Sequence, residues 1–573
     1  MKVLLVAINA SYMHTSLAVR SIYNYVINNS QKKNDLDICF KEFTINQKTS
    51  EIMRGIAESH ADMVMFSTYI WNVEVIEKII PDVKKILPAC VLGAGGPEFG
   101  YAPDFYMNKF NCLDFVIAGE GESAVFDIVS CGYKNCRGVY FRDNDGGVVF
   151  GGVRELIFDL DTIPFAYPEL CGDGEDLYDK NKIYYYESSR GCPYNCSYCL
   201  SSIDKSVRFK TLEKVYSELQ IFLDADVNLV KFVDRTYNLK PERYIKIWQY
   251  ILEHHNGHTM FHFEIEAEYL SEDALEFLQK VPCGVMQFEI GVQSANKQTL
   301  RSINRSDNIE LLYKNVKRIP RTIHQHLDLI AGLPFEDLQS FGKSFDFVMQ
   351  MKPDALQIGF LKVLHGTQME KFASENGWQW QQNAVYETFS TPYMSFTDMS
   401  FIKDVEILVD EYWNKALFIH TMNFIFKTVS PWSFFYSLCE YARAKNVFDA
   451  ARRDLFWFNL LHEFFYDAEF EKLIQSARDN SSLTARDNIR PVLQEYLRYD
   501  FVLSGKKGNF PSWYVHRYDK EKHRALLEQK EMLHSTRLAF ATTEFETFDF
   551  DVTKEDGFKN MAPFETLIVY PSR

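Results

Sequence analysis

From Lys2 to Val363 short apolar runs alternate with segments of helical period, and this alternation constrains the fold more than any other feature of the chain. The opening run, Lys2 to Ile8, is almost continuously apolar, as a strand is when helices cover both faces of a parallel sheet. Strand-like runs recur at Leu36 to Phe43, Met63 to Tyr69, Ala89 to Leu92 and Phe115 to Ala118, with helices between them over 17–26, 48–58, 73–86 and 122–129. The pattern predicts a doubly wound α/β domain over residues 1–140, with ligands at the carboxyl ends of its strands. The loops there are Asn9 to Ser16, Ser67 to Trp71, Gly93 to Phe99 and Gly119 to Glu122. Gly93 to Glu98 permits close backbone approach to a bulky ligand, and Gly119 to Glu122 opens a helix.

The alternation lapses over 141–182, where Asp145-Gly146-Gly147, Gly151-Gly152 and Pro164 read as a hairpin and linker. It resumes with strands at 183–187, 229–234, 260–266, 286–291, 325–331 and 356–363, and helices at 211–223, 241–254, 271–279, 308–317 and 336–350. These six β/α units predict a partial (β/α)6 barrel over 183–367, with active groups at strand C-terminal ends. Residues 368–573 are expected to be mostly helical. Their aromatics, among them Trp378, Trp380, Trp413, Trp432, Phe434 and Trp457, read as core, with some covering a substrate pocket. Leu538 to Val552 and Phe564 to Tyr570 alternate like two closing strands.

The first barrel strand runs into Ser188-Ser189-Arg190-Gly191-Cys192-Pro193-Tyr194-Asn195-Cys196-Ser197-Tyr198-Cys199. Cys192, Cys196 and Cys199 are spaced Cys-x3-Cys-x2-Cys, with no fourth Cys or His nearby. Three thiolates leave one iron of a four-iron cluster open, whereas sites with four protein ligands are closed. The competing readings are a zinc loop or a redox thiol cluster. Cys39, Cys90, Cys112, Cys131, Cys136, Cys171, Cys283 and Cys439 read mostly as small buried hydrophobes. An odd total of eleven cysteines without framework spacing fits a reducing compartment.

The cysteine spacing, with Tyr198 just before the third cysteine, resembles the signature of the radical S-adenosylmethionine enzymes. Glu289-x-Gly291-x-Gln293-Ser294, then Asn304-Arg305, then Asp328-Leu329-Ile330-x-Gly332-Leu333-Pro334, resemble further motifs of that superfamily. With the preceding α/β domain, and its Ser67-Thr68, Gly95-Gly96-Pro97-Glu98 and Gly119-Glu120-Gly121-Glu122, the chain over about 1–370 is similar to the cobalamin-binding branch, in which the first domain is flavodoxin-like.

The resemblance implies a four-iron cluster on the three cysteines, S-adenosylmethionine on its open iron, and cobalamin on the first domain. Tyr198 would lie near the adenine. Asp234, Glu266, Glu289, Gln293, Ser294 and Gly332 would surround S-adenosylmethionine, and Ser67, Thr68, Gly95, Gly96 and Glu120 would meet cobalamin. Such carboxylates suit an ammonium or a diol, which donate to them. The Asp-x-His-x-x-Gly pattern of cobalamin mutases is missing, since Tyr12 stands two before His14 and Leu17 takes the glycine position, so cobalamin is expected without a histidine below cobalt.

The implied activity is methyl transfer to an unactivated carbon of a small molecule or peptide, with a flavodoxin- or ferredoxin-like electron donor. A radical cyclase or rearrangement enzyme, a methylthiotransferase, a non-catalytic cobalamin or redox sensor, and a first domain that only shapes the site are the alternatives. No catalytic side chain is assigned, and the C-terminal part resembles an uncharacterised extension on some of these enzymes.

A net charge of −16 argues against a broad grip on nucleic acid or anionic membrane, and the local patch Lys506, Lys507, His516 and Arg517 reads as a solvated face. No leader pattern and no long apolar run is present, which fits a cytoplasmic enzyme.

Overall fold

A computed structural model describes residues 1–30, 37–143, 145–172, 178–479, 489–505, 510–530, 543–554, 557–559 and 562–570. The chain forms two compact units that interleave in sequence. The first is Met1–Glu336 with Gly359–Ser395, and the second is Asp337–Ile358 with Phe396–Arg573.

The first unit opens with strands β1 (Lys2–Asn9), β2 (Asp37–Thr44), β3 (Met63–Ser67), β4 (Val91–Gly95), β5 (Phe115–Ile117), β6 (Val139–Arg142) and β7 (Val148–Phe150), ordered β2-β1-β3-β4-β5-β6-β7. The first five are parallel, in the 2-1-3-4-5 order of flavodoxin-like sheets, and β6 and β7 add antiparallel at one edge. The hairpin expected after residue 140 is thus part of the sheet. Helices α1 (Leu17–Asn29), α2 (Thr49–Ala57), α3 (Val73–Ile86), α4 (Pro97–Tyr101), α5 (Pro103–Lys109) and α6 (Gly121–Cys131) complete the domain. The unbroken apolar run of β1 has its reason in two cores. Leu4, Val6 and Ile8 pack into one with Ile76, Ile79 and Ile80, while Val3, Leu5 and Ala7 pack into the other with Val19, Ala124 and Ile128.

After the linker come β8 (Ile183–Tyr186), the short β9 (Ser189–Arg190) and β10 (Arg208–Phe209), α7 (Leu212–Asp224), β11 (Leu229–Phe232), α8 (Pro241–His254), β12 (Met260–Ile265), α9 (Glu272–Leu278) and β13 (Met286–Gln293). Then follow α10 (Lys297–Ser302), α11 (Ile309–Arg318), β14 (His324–Ala331), α12 (Leu338–Gln350) and β15 (Ala355–Phe360). The sheet order β15-β14-β13-β12-β11-β8 is the expected six-stranded partial barrel. Helix α13 (Gln368–Glu375) and the small ribbon β16 (Gln379–Trp380) with β17 (Thr388–Ser390) end the first unit.

The second unit gathers α12 with α14 (Phe396–Val409), α15 (Ile419–Ile425), α16 (Pro431–Ala444), α17 (Asp454–Phe465), α18 (Ala468–Asp479), α19 (Ile489–Leu503), α20 (Lys520–Gln529) and the antiparallel pair β18 (Thr543–Phe548) and β19 (Phe564–Val569). Many of its aromatics are core: Phe434, Phe435 and Phe458 are fully buried and Trp457 nearly so, while Phe396 and Tyr466 are exposed. Of the first closing run, residues 538–542 lie outside the described residues, as do Lys506 and Lys507 of the basic patch. The rest of that patch is paired, His516 with Glu544 at 3.0 Å and Arg517 with Asp549 at 2.5 Å. Among the described residues no helix is long and apolar enough to cross a membrane.

Candidate functional site

The cysteine loop leaves β8 under tight control. Asp234, just past the end of β11 and almost fully buried, accepts from Ser188 N at 2.9 Å, Ser188 Oγ at 2.6 Å and Ser189 Oγ at 2.5 Å. Burial pushes its carboxyl up to about 6 in spite of these donors. The β9–β10 bridge pinches the base of the loop, where Gly191 has φ +98° and a Cβ would stand 2.3 Å from Ser206 O, so only glycine fits. Backbone bonds fix the rest: Cys192 N to Asp204 O at 3.0 Å, Ser197 N to Ile303 O at 3.1 Å, and Met369 N to Ser197 O at 2.8 Å.

Cys192 is buried, and Cys196 and Cys199 are half-buried. Burial pushes the Cys196 thiol up to about 11; the Arg305 charge opposes this, while Glu266 and the other two thiols add to it, so the three sulfurs lie within electrostatic reach of one another. Iron supplies the positive charge that such crowded thiols need to ionise. Among the described residues no three His, Cys, Asp or Glu side chains converge as on a single ion. A cluster takes each thiolate on its own iron, so this donor set fits it.

Around the loop, Arg305 joins Glu266 at 2.6 Å and Gly291 O at 2.8 Å. Tyr198 packs on a cluster containing Leu300, Ile303, Leu333 and Leu361, an apolar flank suited to a flat base. Gln293 sits at a bulge with φ +67°, and Gly332 presents its carbonyl to Trp378 Nε1 at 3.5 Å. Ser294 Oγ donates to Glu336 at 2.6 Å. Glu289 accepts from Lys231 and His262, both at 3.0 Å. Burial alone would raise its carboxyl, yet the His262 hydrogen bond and the Lys231 charge outweigh it and hold the group at about 2.

A cavity of about 750 Å³ opens at the strand ends of the first sheet and runs to the barrel mouth. Ser67, Gly95, Gly96 and Glu120 line it from one side, with Tyr69 and Trp71 stacked at 4.2 Å. Gly96, at φ +103°, lies so close to the preceding loop that a Cβ would meet Thr68 O at 2.5 Å. Arg190, Gly191, Tyr185, Lys231, Arg235 and Glu264 face it from the barrel. Its size is that of a large-ligand pocket, and glycine backbone with aromatic walls suits a broad flat ligand.

Of the expected contacts, then, four face this cavity. Thr68 is fully buried and donates to Gly95 O at 2.8 Å, so it and Asp234, Glu289 and Ser294 are bonded to protein groups and support the loops. His14 lines the cavity, but its Nδ1 pairs with Tyr185 Oη at 2.6 Å, and burial, then the Lys231 charge, lowers its basicity. The reading of the other cysteines needs correcting at three positions, because Cys131, Cys171 and Cys283 are exposed. Cys39, Cys90 and Cys112 belong to or pack on the apolar core of the first sheet. Sequence reasoning quoted Arg190 and Glu122 within motifs but gave them no role of their own, and it gave none to Lys231 or Glu264. Barrel curvature and domain packing bring the four to the cavity.

Residues 3–129 match the family model described as B12 binding domain, residues 186–348 the Radical SAM superfamily, and residues 374–570 a family described as protein of unknown function (DUF4080). The chain thus carries, in order, a B12-binding match and a radical SAM match, the two domains that the cobalamin-binding radical S-adenosylmethionine enzymes combine. The names of these two models agree with the S-adenosylmethionine and cobalamin that the sequence implies. An uncharacterized methyltransferase of Pyrococcus horikoshii is 25% identical over 291 residues, covering 49% of this chain and 62% of that protein. The cobalamin-dependent radical SAM methyltransferase TokK of Streptomyces tokunonensis is 26% identical over 311 residues, covering 51% of this chain and 45% of TokK. The chain thus spans less than two thirds of the length of each of these relatives. The cobalamin-dependent S-adenosylmethionine radical enzyme OxsB, solved with aqua-cobalamin and S-adenosylmethionine, superposes with TM-score 0.58 over 89% of this chain and 84% of its own at 13% identity. The radical S-adenosylmethionine methyltransferase TsrM of Kitasatospora setae gives 0.52 over 67% and 80% at 14%. At such identities the superpositions concern the fold.

Proposed function

We propose that this chain is a cobalamin-dependent radical S-adenosylmethionine methyltransferase acting on an unactivated carbon of a small molecule or peptide. The observation that carries the reading is one cavity lined both by the strand ends of a B12-type sheet and by Arg190, Gly191 and Leu200, which flank the cysteine loop of a radical barrel. When bound, the cluster with S-adenosylmethionine supplies a 5′-deoxyadenosyl radical and cobalamin supplies the methyl group.

The chain's own part is to hold and orient. Cys192, Cys196 and Cys199 bind the cluster and leave one iron for S-adenosylmethionine. Asp234 holds Ser188 and Ser189 at the loop entrance, and Arg305 donates to Glu266 beside the loop, opposing the burial that raises its carboxyl. Tyr198, Gln293 and Gly332 flank the nucleoside, and Ser67, Gly95, Gly96 and Glu120 form the cobalamin side. The relatives named methyltransferases support the choice of methyl transfer, and a flavodoxin- or ferredoxin-like protein is the proposed electron donor.

A methylase of sp3 carbon uses S-adenosylmethionine twice, once as methyl source and once as radical source. Turnover of the anaerobically reduced holoenzyme with substrate is therefore expected to give S-adenosylhomocysteine and 5′-deoxyadenosine in equal amounts, quantified by mass spectrometry. Deoxyadenosine coupled to product without S-adenosylhomocysteine would assign a cyclisation or rearrangement instead.

A further inference from the structure

We infer that Arg190 is a positioning residue that sets the cluster loop against the strand ends of the cobalamin domain, so that the two cofactors face one another at a fixed separation. The inference rests on the cofactor reading above. Arg190 lies on β9, two residues before Cys192, with its side chain only 18% exposed. Its guanidinium donates to Glu187 at 2.7, 3.0 and 3.2 Å, to Glu122 at 2.8 and 3.4 Å, and pairs with Glu120 at 3.2 Å. Glu187 belongs to the barrel, whereas Glu120 and Glu122 stand at the start of α6 in the first domain.

Each partner is itself anchored. Ser21 Oγ donates to Glu122 at 2.9 Å, and Ile157 N to Glu120 at 2.9 Å. Arg208, which faces Arg190 across the β9–β10 bridge, donates to Glu120 at 2.7 Å and to Asp204 at 2.7 Å. The carbonyl of Asp204 in turn accepts from Cys192 N. An unbroken line of bonds therefore runs from the first turn of α6 to the backbone of the first cluster ligand. Arg190, Gly191, Glu120, Glu122, Glu187 and Asp204 all border the cavity in which both cofactors would lie.

The chemistry of the network favours geometry over stability. Burial would weaken the Arg190 charge, but the carboxylates around it more than compensate and keep it charged. A buried ionic network adds little net stability over apolar packing of the same volume, yet a planar fork bonded to three carboxylates fixes direction as well as distance. Lysine, a point charge on a flexible stem, would keep the charge and lose the direction. In this reading Glu122 serves as the socket for Arg190, and Glu120 both pairs with Arg190 and borders the cobalamin side of the cavity.

The test uses the full chain loaded anaerobically with cluster and cob(II)alamin. The electron-spin relaxation of the cobalt signal is measured with the cluster oxidised, hence diamagnetic, and then reduced. In the wild type, reduction is expected to speed cobalt relaxation, an effect that depends on separation. Arg190→Gln is expected to keep wild-type iron and cobalt contents, to change that enhancement, and to slow product formation by about tenfold or more, since an ångström of misplacement costs up to about a hundredfold. Arg190→Lys should fall between the two. Should Arg190→Gln fail to load, Glu122→Gln, which removes one charge and keeps the shape, is expected to shift the enhancement in the same direction. Wild-type relaxation in the loaded Arg190→Gln, or in Glu122→Gln where Arg190→Gln does not load, would overturn the inference. A wild-type chain that binds cluster but no cobalamin would overturn the cofactor reading instead.

Discussion

Single side chains in this protein do unequal work, and their surroundings say which. Three thiols cannot saturate four irons, so each of Cys192, Cys196 and Cys199 is needed to hold the cluster: alanine at any one should abolish S-adenosylmethionine cleavage and lower iron and sulfide, read by chemical analysis after reconstitution. A full complement in the triple alanine variant would place the ligands elsewhere. Glu289 makes a different contribution. Its folded carboxyl, held at about 2 against an ordinary 4.5, stabilises the barrel above pH 4.5 and loses that effect as the pH falls towards 2. Glu289→Gln should therefore cost about 2–3 kcal/mol near pH 6, because it leaves Lys231 and His262 without their carboxylate, and much less near pH 3. Thermal unfolding of the cofactor-free chain at both pH values checks the sign; an equal loss at both would show the pair to be inert.

At the scale of strands and turns, two glycines are fixed by backbone conformation. Gly96→Val at φ +103°, with Thr68 O in the way, should cost about 2–4 kcal/mol and reshape the β4–α4 turn. Gly191→Ala, against Ser206 O, should shift the base of the cysteine loop. Cobalamin retention is expected to fall in Gly96→Val and cluster content in Gly191→Ala. His14→Ala should leave the cobalt absorption spectrum unchanged, since His14 is held by Tyr185 and its loop pairs with β8 through the His14–Ile183 bridge. A changed spectrum in His14→Ala alongside intact binding in Gly96→Val would reverse these roles.

At the scale of the whole chain, the second unit holds a piece of barrel sequence. Helix α12 buries Phe341 and Phe345 against Trp432, with ring centroids 5.7 and 5.5 Å away, and Asp346 accepts from Trp432 N at 2.7 Å. Asn414 brackets Leu356 with bonds of 2.8 and 2.9 Å. A chain ending at Ser395 would expose these faces, at a cost of about 3–5 kcal/mol for each large aromatic environment lost. It is expected to aggregate or to elute as an expanded species in size-exclusion chromatography, whereas the full chain elutes compactly. A compact, monomeric truncated chain would show that α12 needs no partner from the second unit.

The sequence by itself determined the alternation of strands and helices, the two parallel sheets and the cysteine loop at a strand end, because periodicity and ligand spacing are local properties that survive without tertiary contacts. It also marked Gly96, whose need for glycine is a backbone matter, whereas the need at Gly191 shows only in the fold. Tertiary structure alone decided which polar residues meet. Asp234 turned out to hold Ser188 and Ser189, Glu289 to bridge Lys231 and His262, and Thr68 to brace the Gly95 turn. Arg190, flanking the best motif in the chain, had no recognisable role until α6 brought Glu120 and Glu122 to it. The physical reason is range: a hydrogen bond between residues 68 positions apart in sequence, such as Arg190 to Glu122, exists only once packing has closed the loop between them, and no local pattern encodes it.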